Sequence, residues 1–164
     1  VKLYLIRHGI AVEQEAGKDD NERPLTAKGR EKTQQVAKRL LDLGVRFELA
    51  IASPLVRAQQ TAEIIQASGL SRQLVVANYL APDGDIQDWL NWWQPWQLSQ
   101  PETSLALIGH QPDLGHWAEI LVWGTAQSRL ELKKAGIIGL DLPPVGSPVG
   151  KSQMFLLTAP KWLL

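Results

Sequence analysis

The stretch Leu3-Tyr4-Leu5-Ile6-Arg7-His8-Gly9-Ile10-Ala11 decides the reading of this chain. It begins as an apolar run, preceded by Lys2, of the kind that forms a strand buried on both faces. It then stops on an arginine, a histidine and a glycine. A buried strand that ends on reactive side chains implies a site at the rim of a sheet, and the remaining sequence can be read for strands that end the same way.

Downstream of Pro24-Leu25, Thr33, Val36, Ala37, Leu40 and Leu41 recur at helical spacing up to Gly44, with Thr26 as the expected N-cap. Glu48 to Ala52 reads as a second buried strand, followed by a helix that starts at Ser53-Pro54 and ends near Ser68-Gly69. The alternation continues with strands at Leu74–Ala77 and Ser104–Ile108 and helices at Ile86–Trp93 and from Pro112 to about Trp123. Gly136–Leu142 and Gln153–Thr158 close the chain as a strand pair joined by the Pro- and Gly-rich stretch 143–150. Strands alternating with helices pair in parallel through right-handed crossovers. The expected fold class is therefore α/β: a three-layer sandwich in which a mostly parallel sheet has helices on both faces and an antiparallel strand at one edge. With 164 residues and no internal repeat, a single domain spanning 1–164 is expected.

Composition narrows the function. Seventeen Lys plus Arg balance seventeen Asp plus Glu, which argues against nucleic-acid or membrane-surface binding driven by bulk charge. The absence of cysteine excludes a disulfide framework, a thiolate metal site and a cysteine nucleophile. No signal-peptide layout and no span-length apolar window stands in the sequence, so a soluble, cytoplasmic protein is expected.

In α/β sheets ligands bind outside the carboxyl ends of the strands. Those ends carry Arg7-His8-Gly9, Ser53-Pro54-Leu55-Val56-Arg57 and Gly109-His110-Gln111-Pro112. Histidines 8 and 110 and arginines 7 and 57 would therefore meet on one rim. Guanidinium groups hold phosphate oxygens bidentately, and a neutral imidazole attacks phosphorus. At 4 Å and an effective dielectric near 20, a charge pair is worth roughly 4 kcal/mol, so such arginines would weigh heavily as charge develops on a transferring group. Taken singly, each residue is more often structural. Their joint placement at strand ends favours a phosphoryl-transfer site that needs no metal.

These motifs, with Leu25-Thr26-Ala27-Lys28-Gly29 and the run 53–62, resemble the histidine phosphatase superfamily, the phosphoglycerate mutase-like fold. Arg23-Pro24-Leu25-Thr26, the run 80–85 and the short length are most similar to its SixA-type branch, the phosphohistidine phosphatases. The resemblance implies that His8 is the catalytic nucleophile, assisted by His110, and that Arg7, Arg57 and both histidines bind the phosphoryl group, with neither cofactor nor metal. Gly9 would let the backbone pass closely beneath the phosphate. Arg23 either contacts substrate or fixes the approach to the first long helix. Many superfamily members supply a glutamate as general acid after the third strand, but the stretch 76–83 has none. Asp83 or Asp85 is the substitute acid, or else the Asp-Gly-Asp turn merely caps the next helix. A phosphohistidine substrate needs an acid least, since its imidazole can leave as a neutral base.

The expected partner is thus a phosphorylated histidine phosphotransfer domain of two-component signalling, with phosphate as product and without nucleic acid or membrane. A small-molecule phosphomonoesterase and a non-catalytic phosphate-binding module are the alternatives. Three further features have weaker readings. Trp89, Trp92, Trp93 and Trp96 form a stripe read as core before docking surface, with Pro95 ending the helix; His116 reads as structural, and Lys133-Lys134 as a solvated charge pair.

Overall fold

A computed structural model describes all 164 residues. Six strands form one sheet in the order β3-β2-β4-β1-β5-β6, with β1 at Lys2–Arg7, β2 at Phe47–Ala52, β3 at Ser71–Val76, β4 at Ser104–Gly109, β5 at Ile137–Asp141 and β6 at Gln153–Thr158. The first four are parallel to one another. β5 runs antiparallel to β1, and β6 antiparallel to β5, which places the expected antiparallel pair at one edge.

Side-chain alternation along β1 explains how both faces are filled. Leu3 and Leu5 join one core cluster while Tyr4 and Ile6 join the other. Helices α1 (Ala27–Asp42) and α2 (Val56–Ala67) cover the Tyr4 and Ile6 face through Val36, Ala37, Leu40, Ala58 and Ile65. Helices α3 (Ile86–Ser99) and α4 (Asp113–Trp123) cover the opposite face through Trp89, Trp93, Leu114 and Trp117. The architecture is the α/β sandwich expected from the sequence.

Local signals hold at several boundaries. Thr26 Oγ1 accepts from Gly29 N at 2.9 Å and caps α1, and Gly44 follows its end at a φ of 83°. Two elements run longer than their patterns suggest. β3 begins at Ser71 rather than Leu74, because as an edge strand it leaves Arg72 and Gln73 exposed and breaks the apolar signature. α3 does not stop before Pro95 but runs on to Ser99. Asn91 and Pro95 are both exposed, on a face where a helix carbonyl without its N–H partner can be solvated. Asp85 caps this helix by accepting from Gln87 N at 2.8 Å, in line with the capping reading of its turn.

The tryptophan stripe is divided. Trp89 and Trp93 are wholly buried and stack with ring centroids 5.5 Å apart, whereas Trp92 and Trp96 are partly buried and stack at 5.4 Å. The core reading fits the first two fully. His116 Nε2 pairs with Ser128 Oγ at 2.7 Å, a structural contact as expected.

Glu119 in α4 is wholly buried, yet no arginine or lysine meets it. Its carboxylate instead accepts backbone N–H groups from Gln127 at 2.9 Å, Arg129 at 3.1 Å and Leu130 at 3.4 Å. Burial raises its pKa, but these hydrogen bonds outweigh that and leave it below the ordinary carboxylate value. Glu119 thereby fixes the loop whose Leu130 carbonyl accepts from Gln111 Nε2 and whose Leu132 carbonyl accepts from Arg7 Nη1, both at 2.9 Å. Glu119→Ala should lower stability by about 2–4 kcal/mol, because three donors lose their acceptor. Urea denaturation at neutral pH measures this. Since the native carboxyl is depressed, the difference between wild type and variant should shrink as pH falls below the ordinary carboxylate range.

Candidate active site

The parallel ladders bring the reactive strand ends together. Arg7 stands opposite Gly109 in the β1–β4 pair, and Ala52 opposite Ile108 in the β2–β4 pair. The residues just beyond, His8, Ser53 and His110, therefore emerge side by side. His8 N donates to Gly109 O at 3.0 Å and Ser53 N to Ile108 O at 2.9 Å, so strand pairing persists into the site itself. The His8 and His110 rings lie 5.2 Å apart, centroid to centroid, and both residues are buried.

A cavity of about 300 Å³ opens over these residues. Arg7, His8, Arg23, Arg57, Asp83 and His110 line it, whereas Asp85, the other carboxylate considered from the sequence, does not. No group of three or more His, Asp or Glu side chains anywhere in the chain is arranged to hold a metal ion.

His8 is oriented by its neighbour. Its Nδ1 lies 2.7 Å from the Gly9 carbonyl oxygen. A carbonyl can only accept, so Nδ1 carries the proton and Nε2 keeps a free lone pair. Burial is the main reason the His8 pKa falls to about 3; His110, Arg57 and Arg7 push it the same way, against the Gly9 hydrogen bond. The ring is accordingly neutral at physiological pH. Gly9 N in turn donates to Thr61 Oγ1 at 3.0 Å, and that hydroxyl donates to Arg57 O at 2.8 Å, tying the turn after β1 to the first turns of α2.

The reason for glycine at position 9 differs from the one expected. A Cβ there would lie 2.5 Å from Thr33 Oγ1 and 3.3 Å from Gly29 O, so the missing side chain makes room for α1 and not for a ligand. Gly29 is tighter still, since its Cβ would come to 2.1 Å from Ile10 O. Together these contacts seat α1 directly against the turn that holds His8.

His110 Nε2 lies 2.7 Å from Ser53 Oγ. That oxygen also accepts from Leu55 N at 3.2 Å, and its hydroxyl proton can be donated to Nε2. In the tautomer in which Ser53 donates to Nε2, His110 carries its proton on Nδ1. Burial first, then the charge of Arg57, lowers the His110 pKa to about 4.

Both arginines are anchored through their terminal nitrogens and have Nε atoms that are buried without an acceptor in the protein. Arg7 Nη1 donates to Leu132 O. Arg57, 5% exposed, donates from Nη1 to Asp20 O at 2.8 Å and from Nη2 to Asp20 Oδ2 at 3.2 Å. Burial of guanidinium groups without full pairing is costly, and an oxyanion would relieve it.

Arg23 lines the cavity and also holds the loop that leads into α1. Its Nε donates to Asp20 Oδ1 at 2.7 Å and its Nη1 to Val12 O at 2.9 Å. Asp20 thus links Arg23 to Arg57. Burial would raise its carboxyl, but the Arg23 hydrogen bond and the charges of Arg57 and Arg23 bring it below the ordinary value. The sequence reading missed Asp20, which sits among other acidic loop residues and has no local signal. The base of its loop is closed by Val12 N donating to Pro24 O at 2.9 Å and by the bridge between Ala11 and Leu25.

Two carboxyl groups stand on the cavity wall. Asp83 is exposed at a φ of 66°, and its N–H donates to Asp113 Oδ2 at 2.8 Å. Asp113, the first residue of α4, was not a sequence candidate. Burial raises its pKa above the ordinary value, and the nearby Asp83 charge adds to this against the Asp83 N–H bond. Lys133 and Lys134 are both exposed, as expected of a solvated pair; Lys134 also lines the cavity, and Lys133 pairs with Glu131 at 3.0 Å.

Comparison with known proteins agrees with this geometry. Residues 3–78 match the family model of the histidine phosphatase superfamily (branch 1). An uncharacterized protein of Picosynechococcus sp. (strain ATCC 27264 / PCC 7002 / PR-6) is 46% identical over 165 residues, covering 100% of this chain and 99% of that protein. The structure of the protein histidine phosphatase SixA complexed with tungstate superposes with a TM-score of 0.86 at 25% identity over 100% of both chains. A SixA protein from Agrobacterium tumefaciens shares the fold, with a TM-score of 0.75 at 20% identity over 97% of each chain. The chain belongs to the histidine phosphatase superfamily, in its SixA-like branch.

Proposed function

We propose that the chain hydrolyses phosphohistidine on a signalling phosphotransfer protein, through a phosphorylated His8. The observation that carries this reading is the hydrogen bond from His8 Nδ1 to the Gly9 carbonyl, which leaves Nε2 as a lone-pair nucleophile at the mouth of a cavity lined by arginines.

In the first step the Nε2 lone pair attacks phosphorus as the phosphorus–nitrogen bond to the substrate histidine breaks. If the substrate imidazole is protonated on its other nitrogen, it leaves neutral, and no carboxylic acid is required. His8 gains positive charge on phosphorylation, and the Gly9 carbonyl facing Nδ1–H stabilises it. Water then attacks phosphorus, the bond to Nε2 breaks with its electron pair returning to the ring, and phosphate departs as H2PO4⁻ with the water's oxygen and both of its protons. Arg7, Arg57 and His110 hold the equatorial oxygens during both displacements. The related SixA structure was solved with tungstate, itself an oxyanion. For an alkoxide leaving group the site would need a proton donor. Asp113, raised by burial, suits that role better than the exposed Asp83.

Three experiments test this reading. Phosphate release from a phosphohistidine peptide should exceed release from p-nitrophenyl phosphate or a sugar phosphate, and His8→Ala should abolish all of it. Faster turnover of the sugar phosphate would move the phosphomonoesterase reading ahead, and no turnover of any substrate would leave a phosphate-binding module. Arg57→Ala should reduce kcat/KM by about 10²–10³ and weaken inhibition by vanadate in parallel, as expected for loss of a donor that serves the transition state. Unchanged kinetics would remove Arg57 from the site. Finally, NMR titration of the imidazole Cε1 signals should show His8 and His110 neutral down to pH 5, since their pKa values stand at about 3 and about 4. A midpoint near 6.5 for His8 would contradict the buried, Gly9-bound ring.

A further inference from the structure

Charge is distributed unevenly around the cavity of a chain whose formal net charge is zero. A second depression adjoins it and shares Arg7 and Lys134 with it. Its charged lining is Arg7, Lys32, Lys133, Lys134 and Lys161 against the single carboxylate of Glu131. Glu131 pairs with Lys133 at 3.0 Å, but both side chains are more than 60% exposed, so solvent screens that pair and the basic excess persists. On the other flank, a depression that shares Arg23 with the cavity is acidic in excess, with Glu13, Glu15, Asp19 and Glu22 against Lys18 and Arg23.

Neither flank supplies His8 with a hydrogen-bond partner, and the lysines come from three separate places in the fold: α1, the loop before β5 and the segment after β6. No local hydrogen-bonding need gathers them. What they share is proximity to Arg7. Lys161 also lies over the ring of Trp162, 5.1 Å from its centroid, and that tryptophan is 76% exposed. A cationic rim beside an exposed aromatic ring is a surface suited to a protein partner.

We propose that the depression formed by Lys32, Lys133, Lys134 and Lys161 is the docking surface for an acidic face of the phosphoprotein, seated so that its phosphohistidine enters the cavity past Arg7. This rests on the phosphohistidine reading of the site. A patch of one sign next to the reaction cavity raises the encounter rate, and the acidic flank at Arg23 repels the same partner in the reversed orientation.

The test compares wild type with Lys133→Glu/Lys161→Glu, whose residues lie outside the reaction cavity. The probes are a phosphorylated histidine phosphotransfer domain of net negative charge and the small phosphoryl donor phosphoramidate. The double variant should lose about tenfold in kcat/KM on the phosphoprotein, keep its turnover of phosphoramidate, and show a flatter dependence on ionic strength than wild type. Equal kcat/KM for both proteins on the phosphoprotein would overturn the docking surface, and so would a parallel loss on phosphoramidate. Binding of the same phosphoprotein to His8→Ala, with and without the lysine changes, separates docking from chemistry. If wild type fails to hydrolyse the phosphoprotein but charge reversal still weakens its binding at least fivefold, the substrate reading falls and the docking surface stands. No binding to either form sinks the docking surface.

Discussion

The hydrogen bond between His8 Nδ1 and the Gly9 carbonyl is the contact on which the site depends. It fixes the tautomer without borrowing a carboxylate. A carboxylate at that position would favour the imidazolium and hold the ring charged at neutral pH, whereas a neutral carbonyl orients the ring while burial keeps the other nitrogen free. The geometry requires the chain to bend at once after β1. That bend is held from three sides: by Gly109 O through His8 N, by Thr61 Oγ1 through Gly9 N, and by Ala135 N, which donates to the carbonyls of Arg7 and His8. β4, α2 and the loop before β5 thus all converge on one dipeptide.

The second constraint is the concentration of positive charge. Arg7 and Arg57 sit within one cavity with Arg23 and Lys134, and mutual repulsion among them must be offset. Asp20 serves this purpose on one side by bracketing Arg57 and Arg23, and the Leu132 carbonyl does so for Arg7. The two supports differ in kind. Asp20 carries a full charge and lies on a surface loop, with its side chain nearly half exposed. Leu132 is buried and held by a loop that Glu119 organises from within α4. Arg7 is therefore positioned by the core, and Arg57 by the loop between β1 and α1.

Much of this arrangement is legible in the sequence because it depends on local signals and on one topological rule. Thr26 at the start of α1, the apolar runs of β1, β2 and β4, and the residues that follow each strand suffice to predict the sheet and to bring His8, Arg57 and His110 to one rim. What is not legible are pairings across long sequence separations. Ser53 with His110 and Gly9 with Thr61 are 57 and 52 residues apart. Asp20 is indistinguishable by composition from its acidic neighbours, and Glu119 resembles any solvated helical glutamate until the loop folds over it. Pro95 misleads for another reason: its cost to a helix depends on whether the freed carbonyl meets water, which the backbone orientation decides and the residue type does not.

The carboxyl groups in and around the cavity show how environment divides residues of one type. Asp20, Asp83 and Asp113 all stand near the arginines, yet only Asp20 bonds to them directly. Its hydrogen bonds favour the ionised form, which makes it a counter-charge and a poor proton donor. Asp113 is drawn the opposite way, because its only hydrogen-bond donor is a backbone amide and burial penalises its charge. Asp83 contributes its amide to Asp113 and leaves its own carboxyl in solvent. A proton donor for an oxygen leaving group would have to be the carboxyl that resists ionisation and faces the cavity, and that description fits Asp113 alone. The cavity thus holds its burial-shifted carboxyl at the start of α4, whereas the segment after β3 contributes the exposed Asp83. Under the proposed mechanism that placement would matter for the leaving group, because a donor at Asp113, three residues beyond His110, would approach the phosphoryl group from the side of β4.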